Sequence, residues 1–283
     1  MRTTFALLIA TVLSSMGAEG LPRVVSAAGA ITEAVYALGS QDRLVAVDTS
    51  SVYPTEALEL PQVGYARQLA AEGILSVHPT LLLITDDAGP PNVLAQVEKA
   101  GVRIVRLTNG HTPDAAEQRI RVIGEELGKP TEAKALIASM HVEVSAARAR
   151  AESARSRPKV LFIYSRGGGV MNVAGRGTAA DSIISLAGGE NAVRDYEGYK
   201  PLTAEAAAVA APDFILVTSR GLESSGGVDA LLKQPGLSLT PAGKEKRVIA
   251  MDDLLLLGFG PRLGQAVKEL CDQLHPERKT TQR

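Results

Sequence analysis

The sequence predicts an α/β protein made of two lobes with parallel sheets, joined by one long helix, with a ligand site in the cleft between the lobes. Three observations carry this. Short apolar strands alternate with amphipathic helices in two separate stretches. A purely helical stretch, from Pro113 to Ala154, lies between them. A pattern of residues recurs at a fixed offset of 133 positions. Ligands of parallel sheets gather beyond the strand C-termini, so two such lobes facing one another make a cleft.

Residues 1–20 read as a signal peptide. Met1-Arg2-Thr3-Thr4 is a charged start, Phe5 to Leu13 a short apolar run, and small residues follow. The run is shorter than the ~20 residues that a membrane span needs. The competing reading is a buried N-terminal helix. Ala18-Glu19-Gly20 offers a small-x-small cleavage site and Ser15-Met16-Gly17 a rival, which puts cleavage near residues 17–20. No cysteine follows the run to carry a lipid anchor. The expectation is a free, monomeric protein of the periplasm, not inserted in a membrane.

Residues 21–128 form the expected N-terminal lobe. Arg23-Val24-Val25-Ser26 is a short strand, and Thr32 to Leu38 is a helix stopped by Gly39. Leu44-Val45-Ala46-Val47 is a second strand. Leu81-Leu82-Leu83-Ile84 is a continuous apolar run, as expected for a strand covered on both faces. Val93 to Ala100 is a helix stopped by Gly101, and Val102-Arg103-Ile104-Val105 is a further strand.

Residues 129–157 form the expected connector. Gly128-Lys129-Pro130 breaks the helical stretch in two, and its second part runs from Thr131 to about Ser156. At ~1.5 Å per residue it would be roughly 35 Å long, enough to bridge two lobes. A long surface helix on a single domain is the alternative. Residues 158–283 form the expected C-terminal lobe. Its strands are Lys159 to Ile163, Phe214 to Val217 and Arg247 to Ala250; its helices are Thr178 to Ala187, Val228 to Leu232 and Pro261 to Leu274.

The two lobes echo each other. Leu69-x-x-Glu72-x-Ile74 leads to Pro79-Thr80-Leu81-Leu82-Leu83, and Leu202-x-x-Glu205-x-Ala207 leads to Pro212-Asp213-Phe214-Ile215-Leu216. Leu, Glu, Pro and the apolar run all keep the same offset, which points to two copies of one fold.

Composition narrows the function. The net charge of −1 offers no basic field for nucleic acid or an anionic membrane. Cys271 is the sole cysteine, so an internal disulfide is excluded and the core alone must hold the fold. Cys271 shares helical spacing with Leu263, Val267, Leu270 and Leu274 and reads as a small core residue.

These features together resemble the periplasmic binding proteins that feed metal-chelate ABC importers, and the likeness covers nearly the whole mature chain. Val63-Gly64-Tyr65-x-Arg67-x-Leu69-x-x-Glu72-Gly73-Ile74-Leu75-Ser76 is similar to the haem-binding branch. So are Gly177-Thr178-Ala179-Ala180-Asp181-Ser182-Ile183, Gly188-Gly189-Glu190-Asn191-Ala192 and Arg220-Gly221-Leu222-Glu223-Ser224-x-Gly226-Gly227, where Ser225 replaces an expected apolar residue. The resemblance implies two Rossmann-like lobes, a rigid connecting helix and ferric haem b as the transported ligand. It implies Tyr65 as the axial iron ligand, Arg220 on the opposite lobe beside the Tyr65 oxygen, and Arg67 as a haem contact. It also implies that Glu72 and Glu205 dock onto arginines of a permease dimer.

The chemistry agrees with that resemblance. A tyrosine phenolate is a hard anionic oxygen donor suited to Fe(III). Free tyrosine ionises near pH ~10, so the metal and a nearby cation must favour the phenolate. An arginine supplies that cation and stays charged, and carboxylate pairing is the use open to Arg67. Matched carboxylates on two lobes suit a two-fold partner; as residues near helix N-termini they are also simply favourable charges.

Tyr53, Tyr164 and Arg166 either line the cleft or are surface loop residues. The four histidines, His78, His111, His141 and His275, lack metal-site spacing and read as surface or structural, which favours a single haem. Cobalamin or ferric-siderophore binding is the alternative within the family; cobalamin would not require Tyr65 or Arg220, and siderophore binders often use more basic and aromatic clefts, whereas this chain has no Trp. An enzyme on a dinucleotide-binding fold is disfavoured. Gly167-Gly168-Gly169 and Gly175-Arg176-Gly177 do not form the Gly-x-Gly-x-x-Gly fingerprint, and no nucleophile elbow is present.

Overall fold

The computed structural model describes residues 20–154, 156–165 and 171–276. The signal segment up to residue 19, Arg166 and the run Gly167-Gly168-Gly169 lie outside the described residues.

The N-terminal lobe contains β1 (Val24–Ala27), α1 (Gly29–Ala37), β2 (Leu44–Val47), α2 (Ala71–Leu75), β3 (Leu81–Thr85), α3 (Pro91–Lys99) and β4 (Arg103–Leu107). Its strands pair in the order β2-β1-β3-β4, all parallel. β3 is buried at all five positions, as its unbroken apolar run requires between two covered faces. β4 forms the edge and exposes Arg103 and Arg106, charges that discourage pairing with another chain.

Next come α4 (Pro113–Glu126) and α5 (Pro130–Ser153). Gly128 follows α4 at φ +64, a left-handed turn that ends the helix, and Pro130 opens α5, where its missing N–H costs nothing. The 24 residues of α5 span roughly 36 Å at ~1.5 Å each.

The C-terminal lobe contains β5 (Lys159–Ser165), β6 (Met171–Ala174), α6 (Ala179–Leu186), β7 (Glu190–Asn191), β8 (Tyr199–Pro201), α7 (Ala204–Ala210), β9 (Phe214–Thr218), α8 (Ser219–Ser224), α9 (Val228–Leu232), α10 (Pro241–Lys244), β10 (Val248–Met251), α11 (Asp253–Leu257) and α12 (Leu263–Leu274). The strand order is β10-β9-β5-β6-β8, with β7 beside β5.

This second sheet corrects one expectation. It is mixed, not parallel, because β6 runs antiparallel to both β5 and β8. The reason is the short connection from Ser165 to Met171. A parallel neighbour needs a crossover of a dozen or more residues, so a strand reached this quickly must reverse. Neither Met171-Asn172-Val173-Ala174 nor Tyr199-Lys200-Pro201 carries an apolar run that would mark it in the sequence.

The sequence repeat extends to the element boundaries. α2 and α7 begin at Ala71 and Ala204, and β3 and β9 span Leu81–Thr85 and Phe214–Thr218, all at the offset of 133. One continuous core crosses both lobes. It runs from Ile31, Leu81 and Ile120 through Met140 and Val144 of α5 to Phe162, Leu263 and Leu270. Each lobe has a second cluster on the far face of its sheet. A helix whose inner face packs into a core common to both lobes fixes their relative placement, since close-packed interiors resist shear.

Candidate ligand-binding cleft

A cavity of about 1160 Å³ lies between the lobes. Its walls are the segments that leave the strand C-termini. Ala28 to Ala30 follow β1, Thr49 and Ser50 follow β2, Asp87 follows β3, and Asn109 and His111 follow β4. On the facing lobe, Ser165 ends β5, Arg220 follows β9, and Asp253 and Leu254 follow β10. The N-termini of α1 and α6 also reach the cavity through Gly29 and Thr178, which turns their partial positive charge toward it from both sides.

Tyr65 lines the cavity, half-buried, on a loop fixed by its backbone. Gly64 takes φ +93, a region that favours glycine, and Tyr65 then returns to extended backbone at φ −87, ψ 135. The Val63 N–H donates to the Val47 carbonyl at 2.9 Å and the Thr49 N–H to the Gly64 carbonyl at 3.0 Å. Beyond Tyr65 the chain closes a short 3-10 turn, Ala66–Gln68, whose Ala66 carbonyl accepts from the Gly89 N–H at 3.0 Å.

Arg67 lines the cavity and donates through Nε to Asp87 at 2.8 Å. Burial opposes ionisation of Asp87, but hydrogen bonds from Thr85 and Arg67 outweigh it and hold the carboxyl below its ordinary range. Arg220 lines the cavity from the opposite lobe. It lies in the first turn of α8, and its backbone N–H donates to Asp253 at 3.3 Å.

Tyr164 lines the cavity between two other rings, 6.4 Å from Phe162 and 5.9 Å from Tyr199. Tyr199 lines it too, and burial followed by the neighbouring Tyr164 pushes its phenol above the usual value. Leu254 and Leu257 add apolar surface.

Tyr53 does not line this cavity. Its ring lies under the Arg262 guanidinium at 3.5 Å, on the interlobe seam. Glu72 and Glu205 are exposed, away from the cavity, each the second residue of its helix. Among the described residues no group of three or more His, Cys, Asp or Glu side chains is arranged to hold a bare metal ion.

The structure adds lining residues that the sequence reading left aside, and it corrects one expectation, because His111, which reads in the sequence as surface or structural, lines the cavity. His111 is packed against Phe259 at 5.5 Å between ring centres. Burial, reinforced by Arg119, lowers its affinity for a proton below the ordinary histidine value. Arg119 is 4% exposed and donates to the carbonyls of Thr108 at 2.7 Å, Gly110 at 3.0 Å and Phe259 at 2.6 Å. Burial lowers its pKa to about 10, so it stays cationic at neutral pH. The position of His111 just past β4 was the available signal, because ligand sites gather at strand C-termini.

The sequence matches the profile described as periplasmic binding protein over residues 24–255. The structure is similar to that of a periplasmic haem-binding protein, RhuT, from Roseiflexus sp. RS-1 in apo form. The TM-score is 0.87 and the identity 48%, with 90% of this chain and 98% of that chain covered. It is also similar to a periplasmic haem-binding protein, BhuT, in complex with two haems, at TM-score 0.86 and 41% identity, covering 90% of this chain and 98% of that one. Among sequence relatives, a vitamin B12-binding protein of Vibrio parahaemolyticus is 26% identical over 259 residues, 91% of each chain.

Proposed function

The chain belongs to the periplasmic binding protein family, and we propose that it captures ferric haem in the interlobe cleft and delivers it to the permease dimer of an ABC importer. The observation that carries this reading is Tyr65, held by a fixed backbone at the wall of a cavity whose opposite wall presents Arg220 and Tyr164. A phenolate suits Fe(III), and an arginine facing it favours the charged form. The flat rings of Tyr164 and Tyr199, with Leu254 and Leu257, match the apolar faces of a porphyrin. Arg67 and the helix N-termini suit its propionates.

The rest of the reading follows from that assignment. Haem is cargo, and the protein performs no catalysis. Tyr65 is the iron ligand; Arg220, Arg67 and Tyr164 line the same cavity and contact the haem, and Arg166 is a further haem contact expected from the sequence. Glu72 and Glu205 dock onto the two permease subunits. Residues 1–20 are removed on export to the periplasm, leaving lobes 21–128 and 158–283 on either side of the connector 129–157. The working stoichiometry is one haem per monomer.

Haemin, cobalamin and a ferric siderophore titrated side by side test the reading. Haemin alone should bind, near 1:1, with a tyrosinate-type visible spectrum. Cobalamin binding with no response to haemin would overturn it. Tyr65→Phe should abolish the tyrosinate band. Cobalamin is the second reading, favoured by the sequence relative named for vitamin B12; it needs no phenolate, so it predicts full binding by Tyr65→Phe.

A further inference from the structure

We propose that Leu254 is the specificity-determining residue at the base of the cleft: seated against Gly29, it sets the separation of the two lobes there and admits a flat tetrapyrrole in preference to one with bulk on its lower face. The inference deepens the haem reading and rests on it. Leu254 lies in the first turn of α11, just past β10, and Gly29 opens α1, just past β1. Both line the cavity, from opposite lobes. A methyl group at Gly29 would lie 2.7 and 2.9 Å from the two Leu254 methyls. Carbon atoms do not pack that closely, so the main chain of the N-terminal lobe rests directly on this side chain.

Both partners are held in place. A methyl at Gly258 would lie 2.8 Å from the same Leu254 Cδ1, so the side chain is confined from its own lobe as well. The Asp252 carboxylate caps α11 by accepting from the Leu255 N–H at 2.8 Å. The Gly29 N–H donates to Ser50 Oγ at 2.9 Å. A second close approach adjoins the first: a methyl at Gly260 would lie 2.8 Å from Glu33 Oε2 and 3.5 Å from the Cα and Cβ of Ala30. None of these three glycines takes a φ in the left-handed region, so close approach and not backbone conformation calls for glycine there. The lobes therefore touch at this place, and contact between close-packed groups fixes a spacing that a ligand widens only at a cost. Leu254 is half-buried and lines the cavity, so the side chain that spaces the lobes also meets the ligand. A porphyrin is thin and flat and fits such a fixed gap; a corrinoid that carries an axial base and its nucleotide needs a wider one.

Haemin and cyanocobalamin, titrated separately against the full protein, test this. Leu257→Ala is the control, because Leu257 lines the same cavity from the same helix. Leu254→Ala should strengthen cobalamin binding relative to haemin at least about tenfold. Leu257→Ala removes a similar apolar surface and should leave the ratio as in the parent. Equal effects of the two variants on the ratio, or none, overturn the proposal. Gly29→Ala supplies a second measurement. It should weaken haemin binding about tenfold, and adding Leu254→Ala should restore most of that loss, as for two positions in direct contact. The Ser50 carbonyl, 2.6 Å from the added methyl, belongs to the N-terminal lobe and accounts for whatever loss remains. Losses that simply add overturn the contact between the lobes as the cause. If Gly29→Ala does not fold, the comparison of Leu254→Ala with Leu257→Ala decides alone. A parent that binds cobalamin and not haemin overturns the haem reading instead, and the same cycle read with cobalamin then decides whether Leu254 sets the fit.

Discussion

The guanidinium of Arg119, on α4 of the N-terminal lobe, donates to the carbonyl oxygen of Phe259 in the C-terminal lobe at 2.6 Å, across 140 residues of sequence. Phe259 holds φ +50, a region an L-residue rarely adopts, and its ring is buried. A second tie lies beside it, where Arg262 pairs with the buried Glu33 of α1 and covers the ring of Tyr53. The cleft is thus bounded by a seam of buried polar bonds as well as by the shared core around α5.

Arg119→Met should therefore act on both stability and cleft shape. It leaves the carbonyls of Thr108, Gly110 and Phe259 without their donor. The expected loss is about 3 kcal/mol in denaturant unfolding, the scale for orphaning buried partners of a charge. Small-angle scattering of the apo protein should show a broader distribution of interlobe distances than the parent.

Arg67 and Arg220, on opposite walls of the cleft, should differ in effect. Arg67 is exposed and already engaged by Asp87. Its replacement by Ala should weaken haem binding by no more than about fivefold, the range of an exposed ion pair. Under the haem reading, Arg220→Ala removes a cation from the wall opposite Tyr65 and should weaken binding by at least about tenfold. It should also move the tyrosinate band, which Arg67→Ala leaves in place. Equal losses for both would refute the distinction.

The pH profile of apo stability carries the mark of Glu33. Burial raises its carboxyl above the ordinary 4.5 despite the Arg262 partner. Between that value and the raised one, the folded chain keeps a proton that the unfolded chain has lost. Stability contributed by Glu33 is then fully present below pH 4.5 and declines as pH rises through the folded value. Glu33→Gln, which keeps an acceptor for Arg262, should flatten that segment of the profile in chemical denaturation measured from pH 4 upward.

Glu72 and Glu205 should matter for delivery and not for capture. Both are exposed at equivalent helix positions, and neither lines the cavity. The double variant Glu72→Ala/Glu205→Ala should bind haem as the parent does yet fail to support uptake through reconstituted permease. Single variants should fall between, and added salt should weaken uptake by the parent. Normal uptake by the double variant would remove the docking role.

Much of the fold was legible because it rests on local periodicity. The runs Leu81 to Ile84 and Phe214 to Val217 mark the buried strands, and Gly128 with Pro130 marks the start of the long helix. The offset of 133 marks α2 with α7 and β3 with β9. β6 and β8 escaped notice because short strands of mixed residues carry no periodic signal. Within the cleft, Tyr65, Arg67, Tyr164 and Arg220 were all named from the sequence, and the cavity brings them together. Tyr53 was named with them, but its ring lies beneath Arg262 instead.

The sequence by itself determined the two α/β lobes, their helical connector and the tyrosine loop, since these depend on neighbours within a few residues or on a repeated pattern. Only the tertiary structure decided that His111, Arg119 and Tyr199 share the cavity. Those relations join residues far apart along the chain through single hydrogen bonds and ring contacts. No spacing encodes such a contact; it exists only once the two sheets have turned the ends of β2, β4 and β5 toward one cavity.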